Sequence, residues 1–240
     1  DVHGSRGLGD VYKRQEQLNS MSRKFWVELP EILEEVNRNS EIRVLIISST
    51  GKHFCAGMDL SAFDNGVANI PKEKRPDNAR IGEALYRSAK ELQEYISKLE
   101  KIRVPVIAAI HGGCIGGAVD LVTACDIRLA TTDAFFCIQE INIGMAADVG
   151  TLQRLPRIIP DSKMRELAYT GRRMLADEAK ESGLVSDVYN SQEEMVNAAK
   201  EMANEIAKKS PIAIYGLKAL MNYSRDHTCL LYTSPSPRDP

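Results

Sequence analysis

The chain has 240 residues, 43% of them hydrophobic and 27% charged, enough for one large domain or two small ones with a substantial core. The 31 basic residues against 33 acidic ones leave a net charge of -2, which gives no global attraction to nucleic acid or to an anionic membrane. The longest apolar stretch near the middle, Val104 to Ile110, is far too short to cross a bilayer. The five cysteines (Cys55, Cys114, Cys125, Cys137, Cys229) form no CxxC and no zinc-type spacing with histidine, so reduced thiols in an intracellular compartment are expected.

In chain order, residues 1–15 (DVHGSRGLGDVYKRQ) carry no hydrophobic period and read as a non-native leader, to be kept out of fold reasoning. Residues 229–240, which are Ser/Pro-rich, read as a non-native tail for the same reason. Residues 16–228 are expected to form one folded unit, helical from about residue 191. Met21, Phe25, Val27, Leu29, Ile32, Leu33 and Val36 have helical spacing, with Pro30 predicting a kink or two short helices. Arg43 to Ser48 is an apolar run of the kind buried in a parallel sheet. Residues Asp64 to Asp77 read as a polar surface loop, and Ala79 to Ile102 as a helix. Val104 to Ile110 is the next buried strand. Asp126 to Ala130, Ala134 to Ile138 and Leu184 to Tyr189 are further strands. Helices are expected at Ser162–Thr170 and Ala176–Ser182, each closed by a glycine. Ser191 to Glu194 is a capping box, and Ser210-Pro211 starts a last helix. Repeated strand–strand–helix units predict an α/β fold.

Two loops carry the chemistry. His111-Gly112-Gly113-Cys114-Ile115-Gly116-Gly117-Ala118-Val119-Asp120 follows a strand and opens an apolar helix, where glycines let backbone N–H groups face a ligand. It is not a phosphate loop, because Ala118 and Val119 stand where Lys and Ser/Thr would be needed. On its own it is equally well explained by close helix–strand packing. The other loop is Phe54-Cys55-Ala56-Gly57-Met58-Asp59-Leu60. Together the pair resembles the enoyl-CoA hydratase/isomerase (crotonase) family, which joins an F-x-A-G-x-D-L loop to an H-G-x-x-x-G-G helix start; the resemblance runs from about Glu16 to His227. It implies a crotonase-like spiral of ββα units with a helical C-terminal region. It also implies an oxyanion hole formed by the N–H groups of Met58 and Gly117, with Cys55, Ala56, Gly57, Asp59 and Gly116 lining the substrate.

Proton transfer beside a thioester needs a base, and moving a double bond needs an acid at the far end. In the family's hydratases, two glutamates stand at the positions of Asp120 and Glu140; the aspartate here argues against a water-positioning pair. The segment Gly144-Met145-Ala146-Ala147-Asp148-Val149-Gly150-Thr151-Leu152-Gln153-Arg154-Leu155-Pro156 and the later Tyr223-Ser224-Arg225-Asp226-His227 resemble the Δ3,5-Δ2,4-dienoyl-CoA isomerase branch. The resemblance implies isomerisation of a 3,5-dienoyl-CoA in fatty acid β-oxidation, with Asp148 acting at C2 and Glu140 at C6. Asp120 would bias the other two by repulsion or hold the pocket in shape. Ile138, Ile141, Ile143 and Met145 are expected to give these acids an apolar setting that raises their pKa values.

Each acid also has an ordinary structural explanation: Asp120 as a helix-dipole residue, Glu140 as a surface acid on a strand, Asp148 as an N-cap. Taken together at the family's spacing they favour chemistry. His111 is expected to support its turn and His53 to face solvent; Trp26 and Phe135-Phe136 read as core, and Asp126 with Arg128 as a structural pair. No metal or redox cofactor is implied, since coenzyme A is part of the substrate; Lys52, Arg23 and Lys24 are candidates for its phosphates. The resemblance implies a homo-trimer or hexamer, mitochondrial or peroxisomal in a eukaryote and cytoplasmic in a bacterium. Competing readings are a 2-enoyl-CoA hydratase, a Δ3,Δ2-enoyl-CoA isomerase, and a non-catalytic or RNA-binding protein that kept the fold.

Overall fold

Residues 18–59 and 77–227 are described by a computed structural model, the side chain of Leu85 excepted. The leader at 1–15, the tail at 229–240 and the surface loop, apart from Asp77, lie outside the described residues. The apolar runs become strands β1 (Leu45–Ile47) and β2 (Val106–Ile110), which pair in parallel with β4 (Ile127–Thr131) and β7 (Asp187–Tyr189) in the order β1-β2-β4-β7. The register sets Ile107 of β2 between Ile46 and Ile127. Every residue of β2 is buried, as an apolar strand covered on both faces requires. β1 stands at the sheet edge among the described strands and is only half-buried, so the burial expected for that run is not reached.

A second sheet is built from β3 (Gly113–Ile115), β5 (Phe135–Cys137) and β6 (Met174–Leu175). The chain passes twice from the first sheet to the second, from β2 into β3 and from β4 into β5. A helix, α3 (Gly117–Thr123), follows β3, which is the ββα spiral the resemblance implies. Sequence reading left β3 inside a loop because its glycines hide any period, and it did not find the two-residue β6.

α1 (Arg23–Arg38) is opened by Ser22, whose hydroxyl accepts the Phe25 N–H. It runs as one helix through Pro30 rather than as two short ones. An internal proline costs about 3 kcal/mol, while Trp26, Leu29, Leu33 and Val36 are all buried at about 2 kcal/mol each. The buried stripe outweighs the proline. α2 (Asn78–Lys101) is capped by Asp77 and packs against α1, burying Ile96 and Leu99.

The remaining helices are α4 (Thr151–Arg154), α5 (Asp161–Thr170), α6 (Ala176–Glu181), α7 (Gln192–Ala207) and α8 (Pro211–Ser224). α5 closes at Gly171 in the left-handed conformation. Ser191 caps α7 by accepting the Glu194 N–H, and α7 lays Met195 and Ala199 on Ile107, Ala109 and Leu129 of the parallel sheet. α8 is anchored by buried Lys218, whose Nζ donates to the carbonyls of Leu99 and Val104 and to Asp126 Oδ2 at 2.8–3.1 Å. Asp126 thus takes Lys218 as its ion partner rather than Arg128. Arg128 instead donates to the carbonyls of Val122, Cys125 and Leu184, because the carbonyls ending α3 need donors. Trp26 and Phe136 are core as expected, and Phe135 is half-buried. No helix among the described residues is long and apolar enough to cross a membrane.

Candidate active site

The two chemistry-bearing loops are zipped together by backbone. The Phe54 N–H donates to the His111 carbonyl, Cys55 N–H to Gly113, and Ile115 N–H back to Cys55, so Cys55 and Cys114 form a parallel bridge. The two histidines bracket this contact reciprocally. His111 Nε2 lies 3.0 Å from the Gly51 carbonyl, the turn support expected of it. His53 Nδ1 accepts the Gly113 N–H at 2.9 Å, so His53 is a half-buried part of the brace rather than a solvent-side residue. Burial and neighbouring Lys52, His111 and Arg173 hold its pKa below the usual 6.5, against a small opposing pull from Asp133. The neutral ring is the form that can accept that bond. Cys55 and Cys114 are buried; burial pushes the Cys55 thiol up to about 12 and Cys114 well above 9.0, so both are packing residues rather than nucleophiles.

Further along, Met21 and Met58 form a second parallel bridge, in which Met21 N–H donates to Gly57 and Asp59 N–H donates to the Met21 carbonyl. In that pattern the bridged Met58 has its own N–H on the side away from Met21. Gly117 begins α3, where the first-turn amides have no helical acceptor. Among the described residues neither the Met58 nor the Gly117 N–H has an acceptor, whereas the Gly57 N–H meets Cys55 Sγ and the Gly116 N–H the Cys137 carbonyl. The two free amides are neighbours. A Cβ placed on Gly117 would lie 3.7 Å from Met58 N, and one on Gly57 would lie 3.4 Å from Gly117 N. Gly57 has φ +87°, and its Cβ would also sit 2.6 Å from the Ile115 carbonyl oxygen, so glycine is required there. Ala56 donates its N–H to the Leu18 carbonyl and is half-buried, as is Asp59.

The three acids come from separate elements and act on one another electrostatically, and one of them, Glu140, lies against the glycine loop. Asp120, 1% exposed, lies in the first turn of α3, and its Oδ1 accepts the Thr151 N–H at 2.6 Å. It thus ties α3 to the start of α4. Burial pushes its pKa up to about 6, opposed by the Thr151 hydrogen bonds and Arg154 and aided by Asp148. Glu140 opens a short 3-10 helix, Glu140–Ile143, rather than standing on a strand. A Cβ on Gly116 would meet its Oε1 at 3.1 Å, so the carboxyl lies against the glycine loop. Its Oε2 is buried without a hydrogen-bond partner, and burial, reinforced by Asp120 and Asp148, pushes its pKa up to about 7.

Asp148 sits in the turn before α4, exposed between buried Ala147 and Val149. It is not an N-cap, since Gly150 occupies that position without a side-chain cap. The apolar setting expected for the acids is only partly there. Ile138 is buried, but Ile141, Ile143 and Met145 are 43%, 48% and 38% exposed, because the 3-10 helix and the turn after it project them off the core.

Several supporting residues gave no signal beforehand. Gln93 of α2 donates to the Asp148 carbonyl at 2.7 Å. Asn142 donates to Gln139 Oε1 and to the Gly171 carbonyl, fastening the 3-10 helix to the end of α5. Arg154 lies over Gly150 and pairs with Glu100 at 3.1 Å. Lys52, Arg23 and Lys24 are exposed. Among the described residues no three metal-ligating side chains come together.

A family model described as enoyl-CoA hydratase/isomerase matches residues 11–231. The mitochondrial Δ(3,5)-Δ(2,4)-dienoyl-CoA isomerase of Rattus norvegicus is 47% identical over 216 residues, covering 90% of this chain; the chain spans 65% of the length of that relative. The peroxisomal protein of the same name in Arabidopsis thaliana is 44% identical, with 90% of this chain and 77% of that protein covered. Among solved structures, an enoyl-CoA hydratase from Bacillus anthracis superposes with a TM-score of 0.79 at 33% identity, covering 91% of this chain and 79% of the other. A fold of alternating sheets, the two zipped loops and these matches lead to one conclusion: the chain belongs to the enoyl-CoA hydratase/isomerase family.

Proposed function

We propose that this chain acts as a Δ3,5-Δ2,4-dienoyl-CoA isomerase. The observation that carries the reading is Glu140, which lies against Gly116 next to the adjacent Met58 and Gly117 amides, presents a buried, unpartnered oxygen and feels the charges of Asp120 and Asp148. The relatives bearing that name support it.

In the proposed reaction the thioester carbonyl of a 3,5-dienoyl-CoA accepts hydrogen bonds from Met58 and Gly117. Asp148, as carboxylate, removes a proton from C2. The C–H electron pair flows into the C1–C2 bond, and negative charge builds on the thioester oxygen, where the two amides stabilise it by about 3–4 kcal/mol each. The dienolate then takes a proton at C6 from Glu140, and the electrons settle as the 2,4-diene with the carbonyl restored. A group whose pKa is about 7 is half protonated near neutrality and so suits the donor role at C6. Asp148 and Glu140 finish with each other's protonation state and reset by exchange with solvent. Asp120 shapes the site, because its carboxylate is committed to the Thr151 amide. That commitment also disfavours the hydratase reading, in which this position would have to hold a water.

Cys55, Ala56, Gly57, Asp59 and Gly116 line the path of the substrate in this reading, and Lys52, Arg23 and Lys24 are its phosphate partners. The apolar side chains that α8 leaves exposed, Ile212, Tyr215, Leu217 and Met221, support packing against other copies in a trimer or hexamer. The relatives' names point to a mitochondrial or peroxisomal setting in a eukaryote. The test is conversion of a 3,5-dienoyl-CoA, followed by the longer-wavelength absorption of the 2,4-dienoyl thioester. Asp148→Asn should abolish it. An Asp148→Asn protein that isomerises normally, or a wild type that hydrates crotonyl-CoA fast and leaves the diene untouched, would overturn the reading.

A further inference from the structure

We propose that Gln93 is a positioning residue for the Asp148 carboxyl, an inference that rests on the catalytic role given to Asp148 above. The Asp148 side chain is exposed, and among the described residues its carboxyl accepts no hydrogen bond. Its direction is therefore set by its backbone. Gln93 Nε2 donates to the Asp148 carbonyl at 2.7 Å across 55 residues of sequence, so the restraint acts at the acid itself. Buried Ala147 and Val149 on either side leave the carboxyl pointing outward from a pinned main chain.

Gln93 does not act alone. On α2, Gln93, Ser97 and Glu100 follow one another at helical spacing and form a polar stripe facing the Asp148–Arg154 segment. Ser97 Oγ donates to the Gln93 carbonyl at 2.7 Å and accepts from Arg154 at 2.9 Å, and Arg154 also pairs with Glu100. Arg154 in turn reaches the Val149 carbonyl at 3.3 Å. Ile96 and Leu99, between these polar positions, are fully buried, so α2 is a rigid bearing for the turn. Of these contacts, only the Gln93 amide touches Asp148, and it can be removed without opening the core.

The experiment compares wild type with Gln93→Met, which keeps the length and loses the donor, and Gln93→Lys, which restores a donor. Proton transfer tolerates little misplacement, a shift of about 1 Å costing about 100-fold. Gln93→Met should therefore lower kcat by about 10- to 100-fold with KM within about twofold and Tm essentially unchanged, and it should slow solvent deuterium exchange at C2 of the substrate. Gln93→Lys should recover most of that loss. A Gln93→Met enzyme with wild-type kcat overturns the proposal, as does a kcat loss that follows a fall in Tm and is not recovered by Lys. Asp148→Asn runs alongside. If it is fully active, the catalytic reading itself fails; if it is inactive while Gln93→Met is normal, only the positioning role fails.

Discussion

Glu140→Gln separates the charge of the proposed donor from its shape, and its effect on stability follows from the site's electrostatics. In the unfolded chain the carboxyl ionises near 4.5; in the folded protein burial delays this to about 7. Between those values the folded state holds a proton that the unfolded state has released, so stability falls as pH rises through the window and the loss is complete above about 7. Each tenfold change in the ionisation constant is worth about 1.4 kcal/mol, which gives about 3 kcal/mol for a fully dry group. Glu140 is half-buried, and solvent on its open side reduces this to about 2 kcal/mol. Gln cannot ionise and escapes the penalty. Denaturant unfolding of both proteins at about pH 5 and about pH 8 should show the variant gaining about 2 kcal/mol on wild type across that interval, while isomerisation is lost. Asp120, whose pKa also rises from 3.8 to about 6, keeps its own lower window in both proteins, so it largely cancels in the difference. Stability curves that stay parallel between the two pH values would refute the reasoning.

Other substitutions probe the frame around the acids. Gly57→Ala places a Cβ 2.6 Å from a backbone oxygen at φ +87°, so the loop must move; activity should fall by about 100-fold or more, checked by kcat at saturating substrate. Lys218→Ala strands the Asp126 carboxylate and the Leu99 and Val104 carbonyls, and should cost about 3–5 kcal/mol in denaturant unfolding. The His53 bond to Gly113 should weaken on acidification, because the neutral ring is favoured in the folded protein: its contribution is complete above 6.5 and is lost as pH falls through the lowered folded value. Hydrogen-exchange protection of the Gly113 amide should therefore drop in acid, and His53→Leu should remove that dependence.

How much of this was readable beforehand depended on whether the signal was local. Periodic or punctuated segments were legible: Val104–Ile110 as a buried parallel strand, Ser191 and Ser210-Pro211 as helix starts, and Gly171 as a helix end. β3 was not, because Gly113 and Cys114 have no strand pattern and become a strand only by pairing with β5 and bridging to Cys55. Pro30 did not divide α1 in two, because the stripe of Trp26, Leu29, Leu33 and Val36 is buried along the whole helix. The two amides and three acids of the proposed site were picked out through motif and family resemblance, while the contacts that hold them were invisible. Gln93 meets Asp148 across 55 residues, His53 meets Gly113 across 60, and Asn142 meets Gly171 across 29; nothing in the flanking residues announces such partners.

The unequal settings of the three carboxyls add something spacing could not. Three acids close together cannot all ionise freely, and their environments decide which gives way. Asp120 is the most buried but is held by the Thr151 amide, so its ionised form has a partner. Glu140 has a buried oxygen with none, so it is the acid that best keeps a proton near neutrality. Asp148 stands exposed. A relay that takes a proton at C2 and returns one at C6 needs an ionised group at one end and a protonated group at the other. In the reaction proposed above, Glu140 is therefore the group suited to deliver the proton at C6, and Asp120 biases it toward its neutral form.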